Sequence, residues 1–310
     1  MTGRVPRSLR RMMVAVASLL ATSTGQESGV RERVPSIRSD VRMVLVPVTV
    51  TDRRGEVLTG LAQQQFKVFE EKTPQPIASF KEEDAPCSVG VVFDVSGSMK
   101  PKLAQARAAL KAFFESANSA DEAFLMTISS NPGEVSGFTA QFGDLLDRIQ
   151  FRKAAGSTAF MDTCYLALNR MRGAHHARRA LLVISDGMDN HSRYSQGELK
   201  NMALEADVQI HTIGLYDPPR TKKPIELQEE RRGILLLEGI SRETGGLHFV
   251  AANESDIQQS VTKIGRALRN EYVIGYRPMT VERSGKWRQI QVKTTLPDVR
   301  VNARSGYYEE

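Results

Sequence analysis

The 310-residue sequence has little cysteine, little tryptophan and few aromatics: two Cys, one Trp and 6% Phe, Trp and Tyr together. Cys87 and Cys164 stand alone, with no Cys-x-x-Cys pair and no Cys/His cluster, so a thiolate metal site has no basis. The five histidines, at 175, 176, 191, 211 and 248, are scattered and read as structural or surface residues. No P-loop, no Gly-x-Ser-x-Gly elbow and no Ser-His-Asp order occurs, which removes the commonest signatures of nucleotide and acyl-transfer chemistry. Beyond the N-terminus no run is long and apolar enough to cross a bilayer. There is no internal repeat and no low-complexity tract. Charged residues at 25% and hydrophobic residues at 41% fit a globular chain rather than a disordered scaffold.

The formal charge of +6 does not signal a nucleic-acid partner. Much of it comes from Arg4, Arg7, Arg10 and Arg11 in an acid-free leader, and the remainder is nearly balanced. That leader has a basic start, an apolar centre from Met12 to Ala21 and a small-residue exit at Ala21-Thr22-Ser23. It reads as an export signal over residues 1–26, with a polar linker over 27–40. Arg10-Arg11 leaves the twin-arginine route open beside the general one. A disordered basic tail on a cytosolic protein is the alternative. Export implies a periplasmic, cell-surface or secreted protein with no membrane span once the signal is cleaved.

Two patterns of periodicity divide the rest. Over 41–84, Val44, Val46, Val48 and Val50 alternate on one strand face. Asp52-Arg53-Arg54-Gly55-Glu56 forms a turn, Leu61–Gln65 a short helical segment, and Phe66–Glu70 a second strand. Thr73-Pro74-Gln75-Pro76 breaks the chain before a strand at Ile77–Lys81. Over 87–270 strands alternate with amphipathic helices: strands at Val89–Phe93, Ala123–Ser129, Glu134–Phe138, Ala180–Ser185, Val208–Leu215 and His248–Ala251. Helices are expected at Met99–Ala117, Gly143–Ile149, Ala159–Met171, Ser195–Ala206, Ile234–Thr244 and Ser255–Asn270. This alternation predicts a doubly wound, mainly parallel α/β sheet with one antiparallel edge strand. Over 271–310 the pattern returns to β, at Glu271–Arg277, Trp287–Thr295 and Val299–Tyr308. These strands lack the crossover helices that a parallel sheet needs. The economical arrangement completes a small all-β sandwich with 41–84, and the α/β domain is inserted in it. Trp287 is expected as a core anchor of that β domain, closed by Tyr307-Tyr308.

In this arrangement Cys87 lies at the start of the first central strand, and Cys164 lies near the opposite end of the sheet. A six-residue strand separates the two ends by about 20 Å, against the roughly 4–7 Å between Cα atoms that a disulfide spans. Two isolated buried thiols are expected.

Asp94-Val95-Ser96-Gly97-Ser98 follows the buried strand Val89–Phe93 directly. It presents one carboxylate and two hydroxyls at alternate positions, and Gly97 permits the bend. An oxygen-only set of this kind suits a hard divalent cation. Two other loops end at the same side of the sheet: Gly156-Ser157-Thr158, and Ser185-Asp186-Gly187 after the strand Ala180–Ile184. In an open α/β sheet the ligand crevice lies beyond the carboxyl ends of the strands. A helix opening at Met99 would add its positive dipole end. Asp162 is a second-shell acid or an exposed first-turn helix acid. Asp189 and Asn190 are rim residues.

Together the three loops resemble the metal-ion-dependent adhesion site of von Willebrand factor A domains, with Asp94, Ser96, Ser98, Thr158 and Asp186 at the matching positions. Val48–Gly55, Gly60-Leu61, Phe66–Glu70, Ser185–Ser195 and Ala303–Tyr307 further resemble exported acidobacterial proteins related to that family. The likeness spans roughly 41–308. Gly-Ser-Thr-Ala-Phe-Met-Asp at 156–162 departs from the more usual Gly-Gly-Thr-Ala-Leu-Tyr-Asp, which alters the rim at Phe160 and Met161. The resemblance implies Mg²⁺, with Mn²⁺ or Ca²⁺ as substitutes, and a protein partner whose Asp or Glu completes the shell. Gly97, Ser157, Asp162 and Asp189 would form the second shell or rim.

Three functions follow. One is an exported, metal-dependent protein-binding module in adhesion or assembly, without catalysis. Another is a structural scaffold with a vestigial site. The third is a metal-dependent hydrolase using Asp94. A phosphatase of the haloacid-dehalogenase type needs a second Asp two residues on, where this chain has Ser96.

Overall fold

The computed structural model describes residues 43–216, 223–279 and 285–309. The expected export signal and linker lie outside these described residues. A six-stranded central sheet is built from β5 (Cys87–Asp94), β6 (Glu122–Ile128), β7 (Gly133–Thr139), β8 (Arg178–Ser185), β9 (Gln209–Leu215) and β10 (His248–Ala251), in the order β10-β9-β8-β5-β6-β7. Only β7 runs antiparallel, at the edge, as its position in the sequence predicts. Every residue of β5 is buried, as expected of a strand covered on both faces.

Helices cover both faces. One face packs against α1 (Leu103–Glu115), α2 (Phe142–Gln150) and α6 (Glu254–Arg269), through Ala106, Leu110, Phe113, Leu145, Ile257 and Ile264. The other packs against α3 (Phe160–Arg170), α4 (Gln196–Glu205) and α5 (Pro224–Thr244), through Phe160, Leu168, Leu199, Leu237 and Ile240. Cys87 and Cys164 are both buried and free, as the strand geometry requires. No helix among the described residues is long and apolar enough to cross a membrane.

The flanks supply two further antiparallel sheets of four strands each. One has the order β13 (Val299–Ala303), β1 (Val44–Asp52), β11 (Glu271–Tyr276), β4 (Ile77–Glu83). The other has the order β14 (Gly306–Tyr308), β12 (Trp287–Thr294), β2 (Phe66–Glu70), β3 (Thr73–Gln75). Each sheet therefore takes two strands from before the α/β segment and two from after it. Val46, Val48, Phe66, Val68, Tyr272, Ile274 and Ile290, from both sheets, form one hydrophobic cluster.

Four expectations are corrected. The segment Thr73–Gln75 is strand β3, not a break, because Glu71 and Lys72 take positive φ (47° and 70°) and close a tight hairpin onto β2. The single strand expected over Val299–Tyr308 is two, since β13 pairs with β1 in one sheet and β14 with β12 in the other. Helix α5 begins at Pro224 rather than Ile234. Its first turns are exposed and carry no apolar periodicity, and Pro224 sits where its missing N–H costs nothing. Trp287 is half-buried against Tyr308, with Lys200 over its ring, rather than central to a core.

The chain crosses between the α/β segment and the flanking sheets at two points, and Arg178 joins them. Its guanidinium donates to the carbonyls of Glu83 and Ala85 on the way in and of Leu268 on the way out. Its Nε lies 3.2 Å from the buried Glu271 carboxylate.

Candidate functional site

The strand order reverses between β5 and β8, which pair in parallel with Phe93 opposite Ile184. Asp94 ends one of these strands and Asp186 follows the other, so both residues stand at the switch point. Backbone hydrogen bonds stitch three loops together there. Ala155 N–H donates to the Val95 carbonyl at 2.9 Å, and Gly97 N–H to the Gly156 carbonyl at 3.0 Å. Asn190 and His191 both donate their N–H groups to the Thr158 carbonyl at 3.1 Å. Thr158 N–H donates in turn to Asn190 Oδ1 at 2.9 Å. Gly156 has a positive φ of 82°, and a Cβ there would lie 2.5 Å from Ser130 Oγ. That hydroxyl accepts the Ser157 N–H at 2.9 Å.

The side chains divide into engaged and available groups. Asp94, fully buried, accepts from Ser96 N–H on Oδ1 at 2.8 Å and from the Ser185 hydroxyl on Oδ2 at 2.5 Å. Burial first, and the Asp186 charge second, push Asp94 up to about 6, while the Ser185 and Ser96 hydrogen bonds pull the other way. The Ser96 and Ser98 hydroxyls lie 3.2 Å apart. Asp186 accepts the Met188 N–H on Oδ1 at 3.2 Å. Its Oδ2 is buried with no hydrogen-bond partner. The nearest charge is the Lys102 ammonium at 3.6 Å, with the two side chains 9% and 3% exposed. Asp186 and Ser98 line one cleft of about 250 Å³, together with Lys102, Tyr216, Glu226 and Glu229.

A buried carboxylate oxygen that accepts no hydrogen bond, in a cleft shared with the Ser98 hydroxyl, and a second buried carboxylate repelled by the first are donors suited to a hard dication. Among the described residues no group of three or more His, Cys, Asp or Glu side chains is arranged to hold a metal, so a cation here would depend on the hydroxyls.

Residues 89–188 match the von Willebrand factor type A domain family. That match supports a von Willebrand factor A domain over these residues. A von Willebrand factor type A protein from Catenulispora acidiphila shares the fold at a TM-score of 0.50 and 10% identity, over 86% of this chain and 74% of that one. BatB from Bacteroides thetaiotaomicron aligns at a TM-score of 0.47 and 17% identity, over 59% of this chain and all of that one. The corresponding domain of the type V pili tip protein Mfa5 from Porphyromonas gingivalis aligns at 0.45 and 14% identity, over 60% and 95% of the two chains. No curated protein matches the sequence.

The structure adds detail around the crevice and corrects part of the sequence reading. Asp162 is not an exposed helix acid. It is buried and accepts the Arg193 and Tyr194 N–H groups, fixing the loop that follows Asn190. Asp189 accepts from the Met161, His191 and Ser192 N–H groups, so it shapes the rim from behind. The helix after the first loop does not open at Met99. A 3₁₀ turn at Gly97–Met99 comes first, and α1 starts at Leu103 with Lys102 as its N-cap. Ser185 and Lys102 were not singled out from the sequence. Ser185 stood inside the quoted Ser-Asp-Gly motif and could have been found there. Lys102 carried no signal beyond ordinary helix-surface charge.

Proposed function

We propose that the chain is an exported, metal-dependent protein-binding module. Mg²⁺, or Mn²⁺ or Ca²⁺ in its place, would be held by the hydroxyls of Ser96, Ser98 and Thr158 and by the carboxylates of Asp94 and Asp186. An Asp or Glu carboxylate from a protein partner would complete the shell. The observation that carries this reading is the buried Oδ2 of Asp186, which accepts no hydrogen bond and has only the Lys102 ammonium at 3.6 Å, in a residue that lines the same cleft as Ser98. An anionic oxygen is costly to bury without a partner, and a dication removes that cost. Asp94 already accepts from Ser96 and Ser185, so it has only its remaining lone pairs or a bridging water to offer. Neutral hydroxyls leave the cation electrophilic, which suits capture of an anionic partner group.

Von Willebrand factor A domains commonly serve protein interaction or adhesion, and no catalytic step is proposed here. Export rests on the basic-apolar leader over 1–26 and implies a periplasmic, cell-surface or secreted protein. The likeness to exported acidobacterial relatives belongs to the same proposal. So does a β-sandwich formed by the two flanking sheets around the inserted domain.

One observation favours a second reading. The Lys102 ammonium lies near Asp186, and if it stayed there permanently the site would be a vestigial part of a scaffold. Thermal unfolding with and without millimolar Mg²⁺ or Mn²⁺ separates the two. The binding module is expected to melt higher with metal, and Asp186→Asn is expected to abolish the increase. Equal melting temperatures in wild type would overturn the module and leave the scaffold.

A further inference from the structure

We propose that Lys102 is a tethered counter-cation of this site: it pairs with Asp186 while no metal is bound, and an entering dication displaces it from Asp186 toward Glu226 and Glu229 of the same cleft. The inference rests on the metal-binding reading above and adds how the site is regulated. Three observations support it.

The first is position. Lys102 is the N-cap of α1, and a cation is disfavoured at the positive end of a helix dipole. Its burial at 9% exposure also costs a long side chain its rotamer freedom. Neither feature of the helix explains why the ammonium sits there. The Asp186 carboxylate, with Oδ2 at 3.6 Å, favours that position.

The second is charge. Asp94 and Asp186 are both buried at the carboxyl ends of neighbouring strands, so two carboxylates stand close together in a low-dielectric crevice. One ammonium offsets part of that repulsion and lets the crevice fold without metal. A dication on the same carboxylate would repel the ammonium, so the two cannot share Asp186 at full strength.

The third is room. The cleft that Asp186, Ser98 and Lys102 line also presents Glu226 and Glu229 from the first turns of α5. A lysine ammonium on its flexible four-carbon stem can shift toward these carboxylates without backbone movement. Metal entry is then an exchange of cations rather than the filling of an idle site. The metal-free domain stays folded, and affinity is tuned by how tightly Lys102 is held.

Two measurements test this. Calorimetric titration with Mg²⁺ should give about tenfold tighter binding in Lys102→Met than in wild type, because nothing has to be displaced. The same variant should melt lower than wild type without metal, and close to wild type when saturated. Equal or weaker Mg²⁺ binding by a folded Lys102→Met would overturn the role of Lys102 while leaving the metal site standing. Absence of Mg²⁺ binding in wild type would overturn both. The second measurement needs no variant. Acetylation of wild-type protein with a water-soluble ester, read by peptide mass spectrometry, should label Lys102 several-fold more in Mg²⁺ than in chelator. Unchanged labelling of Lys102 in protein that has bound Mg²⁺ would equally overturn the exchange.

Discussion

Asp186 owes its position to two glycines rather than to its own side chain. Gly187 has a φ of 72°, and a Cβ there would come within 2.5 Å of the Gly233 carbonyl. A Cβ on Gly233 would lie 2.3 Å from the Asp186 carbonyl. Helix α5 therefore touches the acidic loop backbone to backbone. Gly233→Ala is expected to destabilise the protein by about 1–3 kcal/mol through overpacking, read from the denaturant midpoint without metal. Ser185→Ala removes the hydroxyl that links buried Asp94 to the Gly187 N–H, and should cost roughly 1.5–3 kcal/mol by the same measurement. A midpoint unchanged in either variant would contradict the packing described. At this scale the sequence was legible where the chemistry is contiguous: Asp94, Ser96 and Ser98 stand in five residues beside a buried strand. Gly233 and Lys102 were not legible. A glycine inside a helix and a lysine at a helix start look ordinary until the fold brings them to Asp186.

Among elements, the junction at Arg178 is the most exacting. Replacing Arg178 with Met takes away donors to three carbonyls and strands a buried carboxylate, with an expected cost of about 3–5 kcal/mol. Glu271 gives this junction a pH dependence. Burial pushes it from 4.5 up to about 7, with Arg178 opposing. The folded chain thus holds the proton more tightly than the unfolded one. The contribution of Glu271 is fully present below pH 4.5 and is lost as pH rises through about 7. His211 works in the opposite sense, because burial lowers it from 6.5 to about 4, so its penalty grows as pH falls between those values. Comparing melting temperatures of wild type and Glu271→Gln from mildly acidic to mildly alkaline buffer isolates the first effect. Wild type should lose more stability than the variant as pH rises, and parallel curves would contradict the assignment. The strands of the central sheet and most helices were readable from apolar periodicity. The exposed first turns of α5 lack that signal, and the hairpin at Glu71-Lys72 lacks the Gly or Asn that usually marks positive φ.

At the scale of the whole molecule, the two β flanks depend on each other. Strand β1 lies between β11 and β13, and β2 lies between β12 and β3, so the first flank has few partners of its own. Deleting residues 271–309 is expected to leave residues 43–84 without a core, seen as rapid amide exchange at Val46 and Val48. Persistent protection there would show that the first flank is self-sufficient. The return to β after residue 270 made this arrangement readable from sequence, while the pairing order was not, since register depends on contacts more than 200 residues apart. The central claim is that separate loops at the carboxyl ends of β5 and β8 hold one divalent cation. Anomalous diffraction from crystals soaked in Mn²⁺ tests it most directly. The expected result is one strong peak among Ser96 Oγ, Ser98 Oγ and the Asp186 carboxylate. A fully soaked crystal with no peak in that crevice, or with Lys102 still against Asp186 and manganese bound elsewhere, would contradict it.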